Sequence, residues 1–215
     1  MVSEKMTQET KFPLISLACH EKLLSMTQNI CEDIFKLISS EKTGSLTLPY
    51  DLNGDDFYSF EGFSTPISFE IYLTKDLEVD NYFFDGEYYT EDTTVGLRIQ
   101  LGEFYDYYEI QRNLFEIVGH ELTHYIQDEV GYTFPKPPTK NRLKYYTQPH
   151  EIEAICLGFW MASNVSYGDR HRLMSEWIEY GNHQLDEHER DLLKNRLKEY
   201  YDLEPLSKPS YQLPF

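Results

Sequence analysis

The sequence predicts an α+β protein: a small, mostly antiparallel sheet packed on a histidine-bearing helix, with further helices before and after it. Three observations carry this. Residues 13–40 hold apolar side chains at helical spacing, residues 44–103 change to alternating β-branched and aromatic texture, and helical periodicity returns from Tyr107 onward.

The first helix rests on Ile15, Leu23, Leu24, Ile30, Ile34, Phe35 and Ile38, which line one face of PLISLACHEKLLSMTQNICEDIFKLISS. TGSLTLPYDLNGDD is turn-rich, and ISFEIYLT, DNYFFDGEYYT and TVGLRIQLG follow as strands. A second helix spans Tyr107–Glu129, with Ile110, Leu114, Ile117, Val118, Tyr125 and Ile126 on its apolar face and Gly131 as its stop. GYTFPKPPTKNRLKYYTQ is proline-broken and basic, through Lys136, Lys140, Arg142 and Lys144, and reads as a connector. Pro149 suits the first position of a helix running through EIEAICLGFWMASNV, and two more helical segments follow within 149–203. Residues 204–215 read as a loosely held tail, and the whole chain, 1–215, as a single domain.

The charge of -18 is concentrated. Between Asp51 and Glu109 fifteen acidic residues face only Lys75 and Arg98. Phosphate neutralisation needs the opposite balance, so a nucleic-acid partner is not expected, whereas a basic peptide or protein is accommodated. Cys19, Cys31 and Cys156 form no paired framework, which fits a reduced intracellular setting. Neither a signal peptide nor a membrane-length apolar run is written in the sequence, so a cytoplasmic location is expected.

The chemistry lies in GHELTHYIQDEV. Here His120, Glu121 and His124 fit H-E-x-x-H inside the second helix. Residues 120 and 124 project about 40° apart, so both imidazoles reach one Zn²⁺, with Glu121 beside them as general base. An open zinc site takes one more protein ligand. YYTQPHEIEAICLGFW offers His150, Glu151 and Glu153. On a helical wheel Glu151 borders the apolar stripe of Ile152, Ile155, Cys156, Phe159 and Ala162, while Glu153 and His150 turn away from it. Glu151 is the expected third ligand and Glu153 the fallback.

H-E-x-x-H with a glutamate on the following helix, in the context Glu151-Ile152-Glu153-Ala154, resembles the gluzincin zinc metallopeptidases. The nearer likeness is to the small ImmA/IrrE-like enzymes and the catalytic domain of anthrax lethal factor. The resemblance spans residues 94–162. It implies a zincin-like fold, His120, His124 and Glu151 as metal ligands, Glu121 as general base, and a tyrosine, Tyr145 or Tyr146, at the oxyanion. One departure concerns the acid that thermolysin-type enzymes carry four residues after the glutamate ligand. Ile155 stands there, so another carboxylate or carbonyl must orient His120 or His124.

The expected function is zinc-dependent hydrolysis of peptide bonds, by a water that Glu121 activates at the metal. TVGLRIQLG, preceding the metal helix, is the candidate edge for an extended substrate, against an ordinary central strand. Two other readings compete: a non-catalytic acidic interaction protein that mimics nucleic acid or inhibits a basic partner, and a degenerate peptidase that binds zinc only for structure.

Overall fold

The computed structural model describes residues 14–40, 43–48, 58–76, 82–103, 106–135, 141–165, 170–181 and 184–201. The tail over 204–215 and Lys136 and Lys140 of the basic connector lie outside the described residues. Along the chain come α1 (Leu17–Ser39), β1 (Gly44–Leu48), β2 (Ser68–Lys75), β3 (Phe83–Tyr89) and β4 (Thr94–Leu101). Then follow α2 (Tyr107–Glu129), α3 (Arg142–Tyr146), α4 (Pro149–Val165), α5 (Arg170–Tyr180) and α6 (Glu187–Tyr201). The architecture is α+β, as the change in periodicity predicts.

The four strands lie in the order β1-β2-β4-β3. β1 is antiparallel to β2 and β3 to β4, but the two central strands, β2 and β4, are parallel. The sheet is therefore mixed, and TVGLRIQLG is not an edge. β4 is paired on both sides, and the outer strand beside α2 is β3. Strand order is set by non-local pairing, which alternation within one strand does not encode. The inner face alternates cleanly: Phe69, Ile71 and Leu73 of β2 and Val95, Leu97 and Ile99 of β4 are buried, while Glu70, Tyr72 and Arg98 face outward. These inner residues join Leu23, Ile30 and Ile34 of α1 and Leu114, Val118 and Leu122 of α2 in one core.

α2 begins where the Asp106 carboxylate accepts the Tyr108 N–H (2.8 Å), satisfying a donor of the first turn. It ends on Gly131, whose φ of +83° is open to glycine. There Tyr132 N–H bonds back to Gln127 O (2.9 Å) and Gly131 N–H to Asp128 O (2.8 Å), so the chain reverses toward α4. The connector is less irregular than its prolines suggest. Asn141 caps the five-residue α3 by accepting the Lys144 N–H (2.8 Å).

α4 packs against α2, α3, α5 and α6 and against the stretch before α1, and all thirteen residues from His150 to Ala162 are buried. This corrects the wheel's placement of Glu153 and His150. A helix that runs through the core has no solvent face, so both side chains are inside.

Candidate metal centre

Two glycines let α2 and α4 meet closely enough to share a site. A Cβ on Gly158 would lie 2.7 Å from the Glu116 carbonyl oxygen and 3.3 Å from His120 Cβ, and one on Gly119 would lie 2.7 Å from Met161 Cγ. Backbone is the harder obstacle, because it cannot rotate away. Gly158→Ala is therefore expected to force the helices apart. The overpacking costs about 1–3 kcal/mol, which outweighs the gain of up to about 1 kcal/mol in helix propensity. A thermal melt reads the loss, and weaker metal binding should accompany it; an unchanged melting temperature would contradict this view of the crossing.

At that crossing, His120 Nε2 and His124 Nε2 stand 3.2 Å apart. Glu151 enters from α4, with Oε2 3.6 Å from His120 Nε2 and Oε1 3.6 Å from His124 Nε2. His120, Glu121 and His124 offer ligand atoms within 4.8 Å of one another, a group that could hold a metal ion. Glu153 does not approach the histidines in the same way. Its Oε1 accepts the N–H groups of Leu14 (2.8 Å) and Ile15 (3.3 Å) and the Tyr200 hydroxyl (3.1 Å), and its Oε2 accepts from Gln127 Nε2 (2.9 Å).

Burial and the neighbouring His124 hold the His120 imidazole down to about 3, and burial lowers His124 as well. Both rings are therefore neutral near pH 7, the form that ligates a metal. Burial also works against charge on Glu151, but the hydrogen bond from His150 and the nearby His124 and His120 rings outweigh it and keep the carboxyl below its usual range. Glu121 goes the other way. Burial, reinforced by Glu151, Glu116 and Glu87, pushes it well above the ordinary carboxylate value, against a hydrogen bond from the Tyr88 backbone N–H.

That N–H belongs to β3, which places Glu121 against the outer strand. Gly86 is what allows the approach: a Cβ there would sit 2.9 Å from Ile117 Cγ1 and 3.1 Å from both Glu121 Cγ and Oε1. Gly86→Ala should push Ile117 and the Glu121 carboxylate away from β3 and lower the melting temperature, and an alanine variant that melts with wild type would refute this close approach.

The two tyrosines pack edge-on against each other, at 5.4 Å between ring centres, and both line the cleft, but their other partners differ. Tyr145 reaches the Glu151 carboxylate with its phenol, and burial raises its pKa. Tyr146 packs edge-on against Trp177 at 5.8 Å between ring centres. The spacing of KYY does not show these partners, because Glu151 and Trp177 are brought to α3 by tertiary packing.

His150 is a residue that the wheel missed. Its Nε2 lies 3.4 Å from Glu151 Oε1 and its Nδ1 3.4 Å from the Tyr132 hydroxyl. Phe134 packs against both His150 and His124 at 5.3 and 5.7 Å between ring centres. The reversal at Gly131 brings these aromatics over the site, a consequence of the helix stop that the sequence did show. His124, Phe134, His150 and Glu151 line a cleft of about 500 Å³ between β3, α2, α3 and α4, with Asp85, Glu87 and Glu116 also on its walls.

The fold and site define an α+β protein in which a His/Glu/His cluster on one helix and a carboxylate from the next converge on a cleft. No protein-family model matches the chain, and no curated protein or solved structure matches it either. Among the described residues no helix is long and apolar enough to cross a membrane.

Proposed function

We propose that the protein is a gluzincin-type zinc metallopeptidase that hydrolyses peptide bonds in the cleft beside β3. The observation that carries this reading is the convergence of His120, His124 and Glu151. Two nitrogens about 2.0–2.1 Å from a tetrahedral zinc stand roughly 3.3–3.4 Å apart. The 3.2 Å between the histidine nitrogens and 3.6 Å to each Glu151 oxygen are close to that span. Two neutral imidazoles and one carboxylate are also the donor chemistry of a catalytic zinc site.

A zinc ion held by these three side chains supplies Lewis-acid polarisation of a carbonyl and of a water. Glu121 takes a proton from the attacking water and passes it to the leaving amide nitrogen. The hydroxyl joins the carbonyl carbon, the C–N bond breaks, and the amine departs neutral. The Tyr145 phenol, already beside Glu151, is the donor best placed for the oxygen on which negative charge develops.

An extended substrate would pair with the outer edge of β3, which no strand covers among the described residues. Asp85, Glu87 and Glu116 on the cleft walls, with no lysine or arginine among the described lining residues, favour a basic peptide. A library profile showing neither a basic preference nor salt dependence would remove that part of the reading.

Cleavage of an unstructured protein substrate is the direct test. Chelation should abolish it and stoichiometric Zn²⁺ restore it, whereas zinc binding without cleavage of any substrate would indicate a structural metal centre.

A further inference from the structure

Resting on the reading of His124 as a metal ligand, we infer that Gln127 and Glu153 form a relay that fixes the tautomer and ring orientation of His124. Both are positioning residues that never touch the metal. Gln127 follows His124 by three residues on α2 and so lies on the same helix face, fully buried.

Its amide orientation is decided by what surrounds it. Gln127 Nε2 lies 3.1 Å from the His150 carbonyl oxygen and 2.9 Å from Glu153 Oε2. A carbonyl oxygen can only accept, so the NH₂ group must face that side. Gln127 Oε1 is then the atom 2.9 Å from His124 Nδ1, and an amide oxygen also only accepts. His124 therefore carries its proton on Nδ1. A neutral imidazole has one N–H, so Nε2 keeps its lone pair, and Nε2 is the atom that meets His120 and Glu151.

Glu153 holds the amide in turn. Its Oε1 is pinned by Leu14, Ile15 and Tyr200, from the stretch before α1 and from α6, which leaves Oε2 aimed at Gln127. A fully buried carboxylate is costly without such donors. Four of them, from three other parts of the chain, make it a rigid anchor rather than an incidental partner.

The primary test needs no variant. In the full chain after chelation, long-range ¹H–¹⁵N correlation of the histidines near pH 7.5 should show His124 with a protonated Nδ1 and a bare Nε2. The Nε2–H tautomer would overturn the inference. Gln127→Leu should mix the tautomers and lower Zn²⁺ affinity about 10–100-fold, read by competition with a chromophoric chelator. Gln127→Glu alone sets two carboxylates against each other and should also weaken binding. A Gln127→Leu protein that binds zinc within twofold of wild type would count against the relay. Wild-type protein that binds no zinc but shows the Nδ1–H tautomer would sink the peptidase reading and leave the relay standing.

Discussion

Replacing Glu121 by glutamine is expected to leave metal binding intact and to lower peptide hydrolysis by about 10²–10⁴-fold, the usual worth of a positioned general base. Glutamine keeps the volume of the side chain and can still accept the Tyr88 N–H, so the wall between α2 and β3 should survive. What it cannot do is take a proton. The expected signature is unchanged metal stoichiometry, unchanged melting temperature and a collapse in kcat. A Glu121→Gln protein that holds its metal and cleaves as fast as wild type would remove Glu121 from the reaction.

Glu151→Ala is expected to act on the metal instead. The carboxylate puts one oxygen 3.6 Å from His120 Nε2 and the other 3.6 Å from His124 Nε2, and alanine supplies no donor in their place. Affinity should fall by more than the roughly 10–100-fold typical of an outer partner. Activity should fall with it and return only in part when metal is added in excess. The fold should tolerate the change better than it tolerates loss of Glu153, because Glu151 serves the cleft while Glu153 satisfies four buried donors. Zinc titration beside thermal melts separates the two residues. Equal metal affinity in Glu151→Ala and wild type would exclude Glu151 as a ligand.

The parts of the site that were legible in the sequence are those governed by local geometry. H-E-x-x-H states its own helical spacing, and Gly131 marks the stop that folds Tyr132 and Phe134 back over His150. The apolar stripe around Ile152 and Ile155 correctly turned Glu151 inward. The same wheel failed for Glu153 and His150, since it assumes an exposed face and α4 has none. Gln127 could have been noticed three residues past His124, but its role depends on the His150 carbonyl and on Glu153, both brought in by tertiary packing. With Ile155 at the position where an acid was sought, the group that meets His124 Nδ1 is Gln127, whose amide donates to Glu153, two residues after Glu151 and not four. Likewise, β3 became the outer strand through long-range pairing, and Gly86, Gly119 and Gly158 matter only because particular atoms approach them.

One metal ion is expected where α2 and α4 cross, held by His120, His124 and Glu151. Elemental analysis of the purified protein beside its His124→Ala variant tests it most directly. One zinc per wild-type chain and essentially none in the variant is the expected result. Wild-type protein that takes up no metal even after incubation with Zn²⁺, or a variant that retains a full equivalent, would contradict it.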